Sequence, residues 1–443
     1  MEIKLSEHFT YKKLLRFVMP SIVMMIFTSI YSVVDGLFVS NFVGKTSFAA
    51  INLIMPFLMG LGAVGFMIGT GGSALVSKTM GEGKKERAEQ YFSMLVWVTV
   101  ISGVIIAIIG LIFIRPIAAA MGASDSMLED CVVYGRIILV FLTSFMLQNV
   151  FQSFFAAAEK PHLGLVMTVA AGVTNMALDA LFVAVFRWGT AGAALATGIS
   201  QTVGGVIPLF YFARPNSSLL RLIKPKFNVR ALLKVCANGS SELVTSLSAS
   251  VVGILYNLQL MKFAGEDGVA AYGVLMYVNF IFVAVFIGYS IGSAPVTGYN
   301  YGAENHKELK NVFRKSMVLI GIWGIILTAL AETLAVPLAR IFVGYDKALF
   351  DMTCRGFRLY SLSFLIAGFN IFGSSFFTAL NNGAASAAIS FLRTLVFQIV
   401  VIIILPLLWG IDGIWLAVTT AELMALIVTV MFFVTKKKRY HYM

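Results

Sequence analysis

Apolar residues are distributed along this chain in long runs, which short polar segments separate. A helix needs about 20 mostly apolar residues to cross the hydrocarbon core of a bilayer, and twelve runs reach that length. The pattern predicts an all-α polytopic membrane protein with twelve transmembrane helices. The predicted spans cover residues 14–40, 48–77, 91–114, 129–157, 163–186, 191–213, 234–262, 269–298, 316–336, 356–380, 384–408 and 412–434.

The polar segments differ in charge between the two sides of the predicted bilayer. Lys and Arg cluster at 4–16, 78–87, 214–234, 307–315 and 436–439, which share one side when the spans alternate. Cytoplasmic loops carry an excess of these residues, so we expect both termini in the cytoplasm of a bacterial cell. The first run lacks a small-residue cleavage site, which favours a retained span over a signal peptide.

Composition agrees with this class. Hydrophobic residues make up 59% of the 443 residues and charged residues 12%, against roughly 45–50% and 25% in soluble domains. The net charge of +12 resides in the basic loops, so we expect lipid and no nucleic acid as a partner. The three Cys and four His show no metal-ligand spacing, and we expect no cofactor.

The second half of the chain repeats the first. Residues 80–92 (MGEGKKERAEQYF) correspond to 301–313 (YGAENHKELKNVF), and 188–196 (WGTAGAALA) to 409–417 (WGIDGIWLA), both at a shift of 221. Each half therefore holds six spans in the same orientation, and transporters with such parallel repeats bind substrate between the halves. The predicted units are an N-terminal lobe at 1–213, a basic cytoplasmic linker at 214–233, a C-terminal lobe at 234–435 and a basic tail at 436–443.

Polar side chains inside the spans of the first half share one depth. Asp35 lies in span 1, Asn175 and Asp179 share a face of span 5, and Thr197 lies in span 6. Counting from the outer helix ends places Asp35, Asp179 and Thr197 roughly 9–11 Å deep. A carboxylate at mid-helix costs about 2.5–3.5 kcal/mol on insertion scales. We therefore expect these residues to form a functional site; the alternative is a satisfied structural network.

The chemistry of this set suits a small cation. Burial disfavours the charged form of a carboxyl group, and a second carboxylate nearby disfavours it further, so the pair can bind a proton. Carboxylate, amide and hydroxyl oxygens equally suit Na⁺ as a metal ion. Either ion removes charge and permits the helices to rearrange, with Pro20 of span 1 as a candidate hinge or a tolerated kink.

The second half lacks these residues at the corresponding positions. Residues 175 and 179 correspond to the neighbourhood of Val396 and Val400, so we expect the coupling carboxylates only in the first half. Other polar residues are candidates for a substrate cleft, although Glu242 also fits an interfacial carboxylate. They are Tyr31, Gln148, Glu242 and Asn370.

The chain resembles the MATE (multidrug and toxic compound extrusion) transporters, in particular the bacterial branch of MepA-like exporters. The resemblance rests on Pro20, the VDGLFVSNFVG stretch of span 1, the two six-helix halves and the WG-x2-G loops. It implies two lobes around a V-shaped cleft and antiport of cationic amphipathic compounds. It also implies a cation or proton site, which corresponds to Asp35, Asn175, Asp179 and Thr197.

One departure from the family concerns the second lobe. NorM-type members carry carboxylates in spans 7 and 10, where this chain has Ser246 and Asn370, and Glu242 lies one turn earlier. We therefore place coupling in the N-terminal lobe.

The sequence predicts an exporter of organic cations driven by H⁺ or Na⁺, and no enzyme. It does not determine the oligomeric state, for which we favour a monomer. An exporter of lipid-linked saccharides is the first alternative, and it would need a wider, more basic cleft. An intramembrane aspartyl protease using Asp35 and Asp179 is the second, and the internal repeat argues against it.

Overall fold

The computed structural model describes residues 3–443, with the exception of the side chain of residue 45. Helices form almost all of this part of the chain, and it contains no β-strand. The helices are α1, Tyr11–Phe42; α2, Lys45–Gly81; α3, Lys85–Ala120; α4, Asp125–Val140 and Leu142–Ala157; α5, Pro161–Val185; α6, Gly189–Ala213; α7 and α8, within Val229–Gly302; α9, His306–Val343; α10, Lys347–Ser361 and Phe364–Ala379; α11, Gly383–Trp409; and α12, Ile411–Tyr440.

Twelve membrane spans follow from this set. Nine single helices of the described chain are long and apolar enough to cross a bilayer, and two helix pairs bent by 55° and 46° complete α4 and α10. The element Val229–Gly302 has 74 residues, which would extend about 110 Å as one straight helix. It bends at Gly265, whose φ of 62° only glycine adopts readily, so it forms α7 (229–264) and α8 (266–302). The predicted all-α fold is confirmed.

Two predicted boundaries differ from the helix ends. α7 begins at Val229, so the last five residues of the predicted linker 214–233 are helical. Asn228 caps this end by accepting a hydrogen bond from the Ala231 amide, and the chain from 214 to 228 is non-helical. α12 extends to Tyr440, so most of the predicted tail 436–443 belongs to a helix.

The repeat is visible in the packing of each half. Each half contains an equivalent cluster of three phenylalanine rings. The ring centroids are 4.8 and 5.1 Å apart in the first half and 4.9 and 5.1 Å apart in the second. Equivalent positions thus fill equivalent space. The clusters are Phe92, Phe154 and Phe212 in the first half, and Phe313, Phe376 and Phe433 in the second.

The two lobes touch at the membrane face that carries both chain ends, which we call the basic face. A methyl group on Gly81 of α2 would lie 2.0 Å from the Tyr299 carbonyl oxygen of α8, and one on Gly302 would lie 2.0 Å from the Lys78 carbonyl oxygen. Gly81 and Gly302 are equivalent in the repeat. The contact is therefore reciprocal, and only glycine permits so close an approach of the two backbones.

The lobes separate towards the opposite face. The Ser29 hydroxyl of α1 donates to the Phe280 carbonyl oxygen of α8 at 3.2 Å, about halfway along both helices. Two turns further, Gly36 has open space where a side chain would be, and so does Gly253 of α7. The lobes therefore enclose a cleft that is closed at the basic face and open at the other.

Candidate functional site

The helix geometry of α5 changes at Asp179. Residues Pro161–Leu178 are α-helical, and Asp179–Val185 form a π-helix, as in the hydrogen bond from the Phe186 amide to the Leu181 carbonyl oxygen at 2.8 Å. Such π-segments inside α-helices frequently coincide with functional sites. The wider turn begins at the carboxylate that the sequence singles out.

Three of the four predicted site residues face one another directly, and the Tyr134 side chain links the fourth, Thr197, to the two carboxyl groups. Asp35 of α1 faces the side chains of Asn175 and Asp179 of α5. Asn175 and Asp179 are 1% and 0% exposed, whereas Asp35 is half-buried. Asp35 is therefore the carboxylate on the accessible side of the pair.

Buried oxygen atoms of this group lack partners. Both carboxylate oxygens of Asp179, Oδ1 of Asp35, Oδ1 of Asn175 and Oγ1 of Thr197 accept no hydrogen bond from any donor in the described chain. Buried polar atoms in proteins are almost always paired. Each of the four predicted residues contributes at least one of these oxygens, which is the arrangement that a proton or a small hard cation would complete.

Tyr134 of α4 adds a residue that the sequence analysis missed. Its hydroxyl faces Thr197 and both carboxyl groups, and it donates to the Met55 sulfur at 3.9 Å. Tyr134 is 1% exposed. A lone Tyr in the first half of a span carries no signal of its own, because only the packing of α4 against α6 directs it to the site.

Two of the predicted cleft residues lie beside this site. Tyr31 of α1 interacts with Gln148 of α4 and with Asp35. A methyl group on Gly172 would lie 2.8 Å from the Tyr31 ring, so α5 approaches α1 closely here. Tyr31 is half-buried and Gln148 is 4% exposed.

The hinge candidate Pro20 lies within α1, which is a single helix from Tyr11 to Phe42. The residues around it contact the other lobe: a methyl group on Gly288 of α8 would lie 2.5 Å from the Ile22 Cα. Bending at Pro20 stays a prediction.

The other two cleft candidates lie in the second lobe. Asn370 is 0% exposed and donates to Glu422 Oε2 at 2.7 Å while accepting from the Thr429 hydroxyl at 2.8 Å. It therefore lines no open cleft in this conformation. Glu242 is half-buried on α7 and lies within electrostatic range of Arg393 of α11.

The second lobe also contains a buried carboxylate that the sequence analysis did not single out, and the restriction of coupling to the first lobe stays a prediction. Glu422 of α12 is 3% exposed and forms an ion pair with Arg393 at 2.8 Å. Both residues are isolated charges inside apolar spans, which is the signal that the sequence offered.

The described residues contain no group of three or more His, Cys, Asp or Glu side chains placed to hold a metal ion. The unpartnered oxygens at Asp35, Asn175, Asp179 and Thr197 are hard ligands of the kind that suit an alkali cation or a proton.

Comparison with known proteins relates this fold to a family. The MatE family model matches the chain twice, at residues 20–181 and 243–404, which is more than half of its length. The chain belongs to the MatE family. The first match contains Asp35, Asn175 and Asp179, and the second begins one residue after Glu242. The resemblance predicted from the sequence is confirmed.

Relatives of this MatE-family chain are similar over nearly their whole length. Multidrug export protein MepA of Staphylococcus haemolyticus strain JCSC1435 is 22% identical over 94% of this chain and 92% of its own length. MepA of Staphylococcus aureus strain MRSA252 is 22% identical over 93% and 91%.

Solved structures share the fold. The outward-facing conformation of a multidrug resistance MATE family transporter of the MOP superfamily superposes with a TM-score of 0.92, at 22% identity over 99% of this chain and 98% of that chain. A MOP superfamily transporter from Pyrococcus furiosus, described with a binding pocket of reverse polarity, superposes with a TM-score of 0.90 at 22% identity over 98% and 97%.

Proposed function

We propose that this protein exports cationic amphipathic compounds across the cytoplasmic membrane by antiport with H⁺ or Na⁺. Its relatives are multidrug export proteins, which supports multidrug efflux. The basic loops support an orientation in which the basic face, with both termini, lies in the cytoplasm.

The group of unpartnered oxygens at Asp35, Asn175, Asp179 and Thr197 carries the proposal. An ionised carboxylate pair without a counter-charge is costly at this depth, and binding one monovalent cation removes half of its charge. The site therefore has a physical reason to take up an ion. An ion that binds one conformation better than the other shifts the equilibrium between them.

The two site carboxylates lie on helices that can move relative to each other. Asp35 belongs to α1, which packs closely against α8 of the other lobe around Ile22 in its first half, whereas Asp179 lies where α5 becomes a π-helix. Ion binding between α1 and α5 would draw these helices together on the open side of the cleft. Organic cations would then leave from the cleft while the coupling ion enters the site, and the reverse conformation would release the ion into the cytoplasm.

Reconstituted protein tests this function. Proteoliposomes that contain the full chain would be loaded with ethidium. Dye movement would then be measured under an imposed proton gradient or an imposed sodium gradient. We expect one of the two gradients to drive dye transport against its concentration gradient. Absence of transport under both gradients would contradict the proposal and shift attention to the lipid-linked saccharide alternative, tested with a labelled polyprenyl-pyrophosphate saccharide in the same vesicles.

A further inference from the structure

A cavity of about 760 Å³ lies at the basic face of the first lobe. It separates the start of α3 and the loop before it, residues 83–91, from the end of the linker at 226–228. The linker is held beside α3, where the Ile223 amide donates to the Ser93 hydroxyl at 2.9 Å. Every residue that lines the cavity belongs to these two segments, so it is distinct from the cleft between the lobes.

Basic side chains dominate the lining of this cavity. One acidic residue, Glu86, also lines it, and its carboxylate accepts a hydrogen bond from the Gln90 side chain at 3.0 Å. Among the basic residues, only Lys84 forms an ion pair within the described chain, with Glu82 at 2.8 Å. Apart from that pair, three positive charges remain against one negative charge, which leaves a net charge of +2. The basic lining residues are Lys84, Lys85, Arg87 and Lys226.

The Arg87 guanidinium is held in place by a buried ring. Its Nε donates to the Tyr91 hydroxyl at 2.9 Å, and the guanidinium carbon lies 5.5 Å from the centroid of the Tyr91 ring. Tyr91 is buried, and it lines the cavity together with Arg87. The two terminal nitrogens of Arg87 donate to no acceptor in the described chain. These are the groups with which arginine binds phosphate oxygens in a bidentate contact.

The second lobe has the opposite charge at the equivalent position. The repeat, at its shift of 221, aligns Arg87 with Glu308 of α9. Glu308 accepts a hydrogen bond from the Phe9 amide at 2.9 Å, and its other carboxylate oxygen lies 2.7 Å from His8 Nδ1. A carboxylate of the second lobe therefore fixes the segment that precedes α1.

The corresponding segment of the first lobe lacks such a partner. Lys226 and Phe227 occupy the place of His8 and Phe9, since each pair directly precedes the residue that caps the first helix of its lobe. Lys226 thus shares its cavity with an arginine, and like charges repel. Phe227 is exposed, whereas Phe9 is buried. An anion between α3 and the linker would supply the negative charge that Glu308 supplies in the second lobe.

The cavity borders an apolar surface that suits lipid. Phe227 lines the cavity and is exposed, and the exposed residues Val229 and Leu233 follow on one face of α7. A continuous exposed apolar patch of this kind marks contact with a partner or a membrane. In a chain with twelve membrane spans, an anion that also carries acyl chains matches both the charge of the cavity and this surface.

We propose that the cavity between α3 and the linker binds the phosphate group of an anionic phospholipid of the cytoplasmic leaflet. Arg87 takes the phosphate oxygens, Lys85 and Lys226 neutralise the remaining charge, and the acyl chains lie along the exposed side of α7. Basic pockets on the cytoplasmic side of membrane proteins bind lipid head groups in this way. The site goes beyond the proposed function and shares with it only the orientation of the basic face.

A lipid titration of the purified full chain in detergent tests the site. Phosphatidylglycerol and phosphatidylcholine share the phosphate and differ in net charge, and native mass spectrometry would measure the affinity for each. A basic residue near an anionic ligand contributes about fivefold, so Arg87→Gln with Lys226→Gln should weaken phosphatidylglycerol about 25-fold and leave phosphatidylcholine unchanged. Arg87→Glu gives this position the residue of the second lobe and should abolish the preference for phosphatidylglycerol.

A matched variant controls for the charge of the whole face. Lys307→Gln with Lys437→Gln removes two exposed charges from α9 and α12, outside the cavity, and should keep the wild-type affinity. Equal losses in both double variants, or wild-type affinity in the cavity variant, would overturn the site. Arg87 and Lys226 are exposed as well, so their variants should fold.

Inorganic phosphate separates a lipid from a soluble ligand. It lacks acyl chains, and we expect it to displace phosphatidylglycerol only in large excess. Displacement at equal concentration would show that the cavity takes soluble phosphate, which would overturn the lipid assignment. The titration uses neither ethidium nor an ion gradient. A failure of this inference is therefore distinguishable from a failure of the proposed transport.

Discussion

Substitution of Asp179 by Asn should make the protein more stable and abolish its coupled transport. An ionised side chain at mid-helix costs about 2.5–3.5 kcal/mol on insertion scales. Asp179 is fully buried, and no donor forms a hydrogen bond with its carboxylate oxygens. The amide has the same shape without the charge, but its unpaired polar atoms cost about 1–3 kcal/mol. The free energy of unfolding of Asp179→Asn should therefore exceed that of wild type by about 1 kcal/mol. The difference should be larger in alkaline than in acidic buffer, because acid protonates the wild-type carboxylate and so removes the charge that destabilises it.

The assay compares thermal unfolding in detergent with ethidium transport in proteoliposomes at equal protein content. Transport by Asp179→Asn should fall at least about tenfold, since an amide cannot be protonated or balance the charge of the ion. A residue whose loss raises stability while removing activity serves function, which a structural carboxylate would not do. Wild-type transport rates in this variant, or a loss of more than about 1 kcal/mol in stability, would refute the reasoning.

Asp130 of α4 supplies the matched control. Its carboxylate accepts hydrogen bonds from the Ser47 hydroxyl at 2.6 Å and the Thr190 hydroxyl at 3.3 Å, so it is a satisfied structural group. Asp130→Asn should lose about 1 kcal/mol of stability and keep its transport. The two variants should therefore move stability in opposite directions.

Three further predictions follow from the packing. Gly81→Ala places a methyl group 2.0 Å from the Tyr299 carbonyl oxygen, so the basic face cannot close and ethidium efflux should be lost; Gly36→Ala, which meets open space, should transport normally. Tyr134→Phe removes the hydroxyl beside Thr197 and should weaken coupling-ion affinity about fivefold, measured by titration calorimetry; unchanged affinity would exclude Tyr134 from the site. Phe92→Ala empties the centre of the first ring cluster and should lower thermal stability by about 3–5 kcal/mol; a loss below about 1 kcal/mol would show that the cluster adds little.

The secondary structure of this protein could be predicted from its sequence because the signals are local. A run of about 20 apolar residues must hydrogen-bond internally as a helix in lipid, which determines the spans whatever their neighbours. The repeat, the basic loops and the carboxylates Asp35 and Asp179 are likewise visible in single segments. Sequence reasoning placed Asn175 on the face of Asp179 because a helix fixes the directions of residues four apart.

Contacts between helices were decided only by the tertiary structure. The pairing of Arg393 with Glu422 joins residues 29 positions apart on two helices, and no local pattern distinguishes such a satisfied charge from the unpartnered Asp179. The same holds for Tyr134, which reaches the site through the packing of its helix, and for the reciprocal contact of Gly81 with α8. Helical periodicity fixes the direction of a side chain around its own axis, whereas the partner it meets depends on how the helices cross and how far each is shifted along its neighbour.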